Sequence, residues 1–336
     1  MSAPTSSMYS DAATKVAKDL GLTKGRANLE VFSETLLELA TADRDVVAVT
    51  SDSRGSGKLG PYGQAVPDQI VEVGIAEQNL VGIAAGLSSV GKTVFAVSPA
   101  CFLTARSFEQ IKNDVAYSDN PVTLVGISAG VSYGALGSTH HSLHDFAALR
   151  AINNVIVVAP ADNFEARESV RAAAAREAPV YLRFGKAPLF DLPGDDAFTF
   201  GAARLIRQGS DAVFVASGET VIHALLAAEQ LQQTDGMQVR VLSVPTIKPL
   251  DEEAIISAAT DCGVVVTVEE HMVNGGLGEA CAALLAQSGL APRFRIAGIP
   301  DEYTVTGAQA DIFRHYRLTM EGLAETMRSL LVANSA

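Results

Sequence analysis

The sequence lacks tryptophan, has three cysteines in 336 residues, and keeps its aromatic share at 6%. Cys101, Cys262 and Cys281 lie far apart and form no Cys-x-x-Cys or other metal-ligand spacing. That spacing argues against a thiol metal centre or a disulfide framework and predicts reduced, mostly buried thiols in a cytoplasmic setting. Positive charge is short as well: 25 Lys and Arg face 38 Asp and Glu, and the net charge of -13 argues against nucleic acid or an anionic membrane as partner. No uninterrupted apolar run approaches the roughly 18 residues of a membrane span, and Met1 to Leu20 has no apolar core of signal-peptide length. The expectation is a soluble protein whose one sign of disorder is the Ser/Ala-rich stretch over about its first ten positions.

What is present is ordinary for a globular protein: 48% hydrophobic and 19% charged residues, in a length that suggests about two domains. β-rich apolar runs at Val46 to Thr50, Gln69 to Val73, Thr93 to Val97, Val122 to Ile127, Val155 to Ala159 and Val180 to Arg183 alternate with helical patterns. This alternation predicts an α/β fold with a mostly parallel sheet covered on both faces and ligand loops at the C-terminal strand ends. The segment Lys186 to Phe198 contains Pro188, Pro193 and Gly194 and marks a boundary. A second α/β series follows, with strands expected at Ala212 to Ala216, Val239 to Ser243, Gly263 to Glu269 and Arg293 to Ala297.

Within the first series, Val73-Gly74-Ile75-Ala76-Glu77-Gln78-Asn79 runs into a Gly/Ala-rich segment, which places one carboxylate among small and apolar residues. Glu77 then has two readings. It is a helix-start acid favoured by the helix dipole, or a buried acid whose apolar surroundings raise its pKa and fit it for proton transfer. The cluster Thr139-His140-His141-Ser142-Leu143-His144-Asp145 follows a predicted strand. His140 and His144 are spaced i, i+4, but a metal site would need an established helix and a third ligand, so hydrogen bonding or proton transfer is the better reading of His140. Ser53-Arg54-Gly55-Ser56-Gly57-Lys58 is an oxyanion candidate, because its glycines admit backbone amides and Arg54 or Lys58 adds charge. It lacks the spacing of a Walker loop.

The segment Glu72 to Leu87 resembles the core of the pyrimidine-binding domain of transketolases. Further resemblances follow in order: Phe102 in Pro99-Ala100-Cys101-Phe102-Leu103, Gly137-Ser138-Thr139-His140, Pro160-Ala161-Asp162 and Pro179-Val180-Tyr181-Leu182-Arg183. Pro245-Thr246-Ile247-Lys248-Pro249-Leu250-Asp251, Val268-Glu269-Glu270-His271 and Gly275-Gly276-Leu277-Gly278 resemble the family's C-terminal domain. The resemblance implies two doubly wound domains: a thiamine-diphosphate pyrimidine-binding domain over 26–190 and a transketolase C-terminal domain over 191–336, after an extension over 1–25. It also implies roles. Glu77 would bond the aminopyrimidine ring nitrogen, Phe102 would stack on that ring unless it is ordinary core, and His140 would face substrate oxygens. Arg183 would grip a sugar phosphate unless it is a solvated strand-end charge; from the oxyanion candidate, and not from the resemblance, Arg54 and Ser56 are added as expected substrate contacts.

Full-length members of that family hold a divalent metal, Mg2+ or Ca2+, through a Gly-Asp-Gly motif in a preceding domain, and this sequence contains no Gly-Asp-Gly. The resemblance therefore implies the C-terminal subunit of a split, two-chain transketolase in an α2β2 heterotetramer. A partner N-terminal subunit would supply the metal and diphosphate end of the thiamine diphosphate site, and this chain would bind no metal itself. Gly134-Ala135-Leu136-Gly137 lacks the acidic pair that the family carries there, and a further family histidine is replaced near Ser128. Without those hydroxyl partners the ketose donor should differ from the usual one, and branched or sulfonated sugars are open possibilities. Competing readings are a β-type subunit of a 2-oxo acid dehydrogenase and a non-catalytic assembly subunit of the same fold. Glu269-Glu270-His271 is expected to have a structural or interface role.

Overall fold

The structure, a computed structural model, describes residues 7–194 and 197–332. The first six residues of the Ser/Ala-rich start, and Asp195 and Asp196 of the boundary segment, lie outside the described residues. Two sheets carry the fold. The larger has seven strands in the spatial order Thr246–Lys248, Ile156–Val158, Val180–Phe184, Val122–Ile127, Thr93–Pro99, Val46–Thr50 and Ile70–Glu72. All neighbours are parallel except the first pair. The smaller sheet runs Arg293–Ile299, Val264–Met272, Ala212–Ala216, Val239–Ser243 and Arg204–Arg207, with only the last strand antiparallel.

Helices cover both faces of the larger sheet, which is why its central strands are apolar throughout. Successive residues of Thr93–Pro99 and Val122–Ile127 divide between two cores. Val94, Ala96, Val122 and Leu124 meet Leu80, Val81, Ala84 and Leu103 on one face. Phe95, Val97, Val125 and Ile127 meet Leu29, Phe32, Leu36 and Val170 on the other. The first of these cores continues into the second half of the chain through Val213, Val215, Ile255 and Leu277, so the two halves share one apolar interior.

Four short strands escape the sequence reading. Lys24–Ala27 and Pro188–Phe190 pair antiparallel as a separate ribbon, placing ordered structure inside the breaker-rich boundary. Proline is tolerated there because a ribbon edge leaves its missing donor unneeded. Arg204–Arg207 is an edge strand with a charge at each end. Thr246–Lys248 leaves the second half to close one edge of the first sheet. Helix Asp11–Asp19, capped by the Ser10 hydroxyl accepting from the Ala13 amide, also crosses between the halves. Its Ala13, Val16 and Ala17 pack into the core that holds Val221, Leu225 and Ala228 of helix Val221–Asp235. Among the described residues, no helix is long and apolar enough to cross a membrane.

The parallel order brings six strand ends to the C-terminal edge of the larger sheet, and the segments after five of them carry candidate residues. Those segments follow Val46–Thr50, Ile70–Glu72, Thr93–Pro99, Val122–Ile127 and Val180–Phe184, and they carry Ser56, Glu77, Phe102, His140 and Lys186 respectively. In an open α/β sheet this edge is where ligands bind.

Candidate functional site

Glu77 is the first residue of helix Glu77–Ser89 and is 4% exposed, so both readings of it describe one place: a helix-start acid that is also buried. Its surroundings differ from the apolar ones expected. The carboxylate Oε1 accepts a hydrogen bond from Arg106 Nη1 at 2.8 Å, and the guanidinium offsets the cost of burying the charge. Arg106 reaches it from helix Ala100–Arg106, where it stands four residues beyond Phe102 on the same face. Its guanidinium carbon lies 4.2 Å from the centre of the Phe102 ring. One side chain thus covers the aromatic face and holds the acid.

Beyond Phe102 the cluster continues without a gap. The His140 ring meets Phe102 edge-on at 5.2 Å and Tyr133 edge-on at 5.3 Å. His140 Nδ1 is 2.9 Å from Thr139 Oγ1, and among the described residues its Nε2 has no hydrogen-bond partner. Lys186 Nζ stands 4.0 Å from the centre of the Tyr133 ring. Burial first, and the neighbouring Lys58 ammonium second, lower the Lys186 pKa. The Tyr133 phenol, whose pKa burial raises, is close to the hydroxyls of Ser128 and Ser56. Glu77, Phe102, His140 and Ser56 therefore converge, with Arg106, Tyr133 and Lys186 between and beside them.

Two expected substrate ligands are engaged with protein groups. Arg54 Nε lies 3.5 Å from Glu72 Oε2, while Glu72 Oε1 accepts from the amides of Asp52 and Gly74, and Arg54 shares a hollow with Lys58. Arg183 is buried, and its donors are engaged inside the chain. Nε donates to Asp145 Oδ2 at 2.8 Å, and Nη2 donates to the carbonyls of Glu270 at 2.7 Å and Ser142 at 3.2 Å. Its Nη1 is 3.7 Å from Glu270 Oε2. A guanidinium so enclosed holds the interior together and does not grip a sugar phosphate, so the expected role of Arg183 is corrected. Burial raises the Asp145 pKa, but the charges of Arg183 and then His271 outweigh it and hold the carboxyl below its usual range. Three residues further on, Lys186 joins the cluster at Tyr133, on the side away from the acid that Arg106 holds.

The same buried network absorbs Glu269-Glu270-His271, as expected of a structural segment. Glu269 accepts from the amides of Leu277 at 2.7 Å and Gly278 at 2.9 Å, capping helix Leu277–Gln287, and burial pushes its pKa up to about 7. Glu270 accepts from the Val131 amide at 2.9 Å. His271 stacks on Phe146 at 4.9 Å and is held down to about pKa 4 by burial. His144 Nε2 is 3.3 Å from Thr104 Oγ1, and His141 is buried with both ring nitrogens engaged. Among the described residues, no group of three His, Cys, Asp or Glu side chains is arranged to hold a metal ion.

Three members of the cluster were not singled out by the sequence reading. Arg106 carried one available signal, its i, i+4 spacing from Phe102, and Lys186 one, its place just past a strand. Tyr133 carried none. A buried acid at a helix start beside an aromatic face fits an aminopyrimidine, which needs a flat partner and a group that can share a proton with its ring nitrogen, donating to the neutral ring or accepting from the protonated one. Arg106 occupies Glu77 Oε1 and one face of the Phe102 ring, while Glu77 Oε2 has no hydrogen-bond partner among the described residues.

Comparison with known proteins places these residues in a family context. Residues 24–190 match the family described as transketolase, pyrimidine binding domain, and residues 201–323 match transketolase, C-terminal domain. Over 297 residues the chain is 48% identical to a subunit of the apulose-4-phosphate transketolase of Phocaeicola vulgatus, covering 88% of this chain and 94% of that one. It is 35% identical over 291 residues to the 6-deoxy-6-sulfo-D-fructose transketolase subunit SqwH of a Clostridium species, covering 86% and 90%. A solved split-gene transketolase, described as an inactive beta4 tetramer, superposes with a TM-score of 0.83 at 34% identity, covering 92% of this chain and 99% of that one.

Proposed function

From the premise that the chain belongs to the transketolase family, as the C-terminal subunit of a split transketolase, we propose that it forms the pyrimidine half of a thiamine-diphosphate site and helps transfer a two-carbon ketol unit from a ketose to an aldose (EC 2.2.1.-). The convergence of Glu77, Phe102 and His140 at one sheet edge carries this reading. Bound thiamine diphosphate would supply the carbon nucleophile and hold the carbanion that follows. Glu77 would share its proton with the aminopyrimidine ring nitrogen, donating to the neutral ring and accepting from it once the ring is protonated; Phe102 would pack the ring, and His140 would offer its free Nε2 to substrate oxygens. Lys186, with Lys58 and Ser56 beside it, takes the phosphate-binding role expected of Arg183.

The domain limits in this reading are 1–25, 26–190 and 191–336, with Thr246–Lys248 returned to the first sheet. An N-terminal subunit carrying Gly-Asp-Gly would bring Mg2+ or Ca2+ and the diphosphate end, in an α2β2 assembly in the cytoplasm. The sugar we assign is a branched ketose phosphate of the apulose 4-phosphate type. The similarity to a transketolase subunit named for that sugar supports it, as does Leu136, which stands 54% exposed in the loop where the family has an acid. The test is to assemble both subunits and follow ketol transfer over apulose 4-phosphate, sulfofructose and xylulose 5-phosphate. Thiamine-dependent turnover fastest with the branched sugar is expected. Turnover of none of them overturns the catalytic reading, and preference for xylulose 5-phosphate overturns the substrate assignment.

A further inference from the structure

The loop that carries His140 does not stand on the first domain alone. It is clasped by the second domain through the segment between strand Arg293–Ile299 and helix Gln309–His315. His141 is 3% exposed; its Nε2 is 2.9 Å from the Gly134 carbonyl and its Nδ1 is 2.9 Å from Thr304 Oγ1. Ser138 Oγ lies 2.9 Å from the same threonine oxygen. Two glycines let the segments close. Gly134 has φ +50, and a Cβ there would sit 2.5 Å from the Gly307 carbonyl; Gly137 has φ +72, and a Cβ there would sit 2.8 Å from Thr306 Cγ2.

The polarity of this network follows from its acceptors. A carbonyl only accepts, so His141 Nε2 carries the hydrogen and donates to Gly134. Burial lowers the pKa of the ring, which keeps it neutral, so Nδ1 is a bare acceptor and the Thr304 hydroxyl donates to it. The Ser138 hydroxyl then donates to the remaining lone pair of Thr304. The backbone completes the tie, since the amides of His140 and His141 both donate to the Gly137 carbonyl, at 2.9 and 3.0 Å. His140 is therefore fixed by its neighbour in sequence, and that neighbour is fixed by the other domain.

We propose that His141, as the neutral Nε2–H tautomer, is a positioning residue through which Thr304 of the second domain sets the place of His140 beside Phe102. The role rests on the reading of His140 as a substrate-facing group, and it makes the second domain part of the sugar half of the site. Two variants test it: Thr304→Val removes the hydroxyl at nearly constant shape, and Thr304→Ser keeps it. In the full isolated chain, 15N NMR of the His141 ring should show a protonated Nε2 and a bare Nδ1. Hydrogen exchange of residues 134–140 should quicken in Thr304→Val and stay near wild type in Thr304→Ser.

With the N-terminal subunit present, Thr304→Val should lower kcat/KM for the ketose about tenfold, the weight of one net hydrogen bond. Thr304→Ser should restore it, and thiamine diphosphate affinity should be unchanged in both. A protonated Nδ1, unaltered loop exchange in Thr304→Val, or an equal loss in both variants overturns the proposal. If the tautomer and exchange results hold while no sugar is turned over even by the wild type, the clasp stands as a structural tie, and both the substrate-facing reading of His140 and the positioning role built on it fall.

Discussion

Arg106 and Arg183 each donate to a carboxylate at 2.8 Å, yet they do opposite things. The Arg183 side chain is 5% exposed, and the carboxylate, carbonyl and phenol groups around it leave no room for a ligand. The Arg106 side chain is 48% exposed and makes one hydrogen bond and one contact with a ring face, both at positions a flat cofactor would use. An arginine–carboxylate pair by itself therefore says nothing about function. What separates the two is whether the cation can leave at small cost and what it uncovers when it does.

The sharpest way to break the contrast is at the acids. Glu77→Gln keeps shape and the contact with Arg106 but removes proton transfer, so turnover with the assembled partner should fall roughly 10²–10⁴-fold while the assembly forms normally. Turnover near wild type would remove Glu77 from the chemistry. Asp145→Ala should act on the other side of the contrast. It strands the Arg183 guanidinium in the interior, at a cost of about 3–5 kcal/mol in unfolding free energy by denaturant titration. A loss below about 1 kcal/mol would show that Arg183 reaches water, and the phosphate role would be open to it again.

A third prediction uses the buried acids that surround Arg183. Burial pushes Glu269 up to about 7, and burial together with the charge of Glu270 pushes Glu219 up to about 8. Carboxyls raised in the folded state stabilise it below their unfolded pKa and lose that contribution as pH rises through the folded values. His271 and His223, both held down to about 4 by burial, work the other way: they favour the folded state increasingly from about pH 4 to the unfolded value near 6.5 and change nothing above it. Between about pH 6.5 and 8.5 the carboxyl effect remains, joined near the top of the range by the buried thiols of Cys101 and Cys281, whose raised values act in the same direction. Unfolding free energy should fall over that range by on the order of 1–3 kcal/mol, with a smaller drop in Glu219→Gln. A flat or rising profile would mean that these acids are already ionised, and the network would then need a cation beyond Arg183.

The contrast also shows what could be read from the chain. Val46–Thr50, Val122–Ile127, Ala212–Ala216 and Val239–Ser243 stand where their apolar runs place them, because strands covered on both faces need such runs. Pro188–Phe190, Arg204–Arg207 and Thr246–Lys248 are short edge or ribbon strands, and their residues answer to partners distant in sequence. The site divides the same way. Glu77, Phe102 and His140 lie within recognisable local patterns, and each strand end delivers its residue to the same edge. Arg183 was misread because its environment is not local: Asp145 is 38 residues away in the chain and Glu270 is 87. A strand-end arginine ahead of a glycine looks the same whether its fork points outward or into another domain.

The smallest expected effect bears most directly on the contrast. If Arg106 only covers the face of Phe102 and the oxygen of Glu77, then Arg106→Met removes a competitor whose contacts are worth about 1 kcal/mol, the sum of a half-exposed ion pair and a cation–π contact. It also leaves Glu77 buried without a partner, which favours any ligand that donates to it. Thiamine diphosphate should then bind the assembled subunits about fivefold tighter by calorimetry, whereas the same substitution at Arg183 should lower stability instead. Weaker binding in Arg106→Met would mean that the guanidinium moves onto the cofactor once Glu77 is released. Arg106 would then be a ligand that waits on the acid, and the distinction between the two arginines would be one of timing as well as of burial.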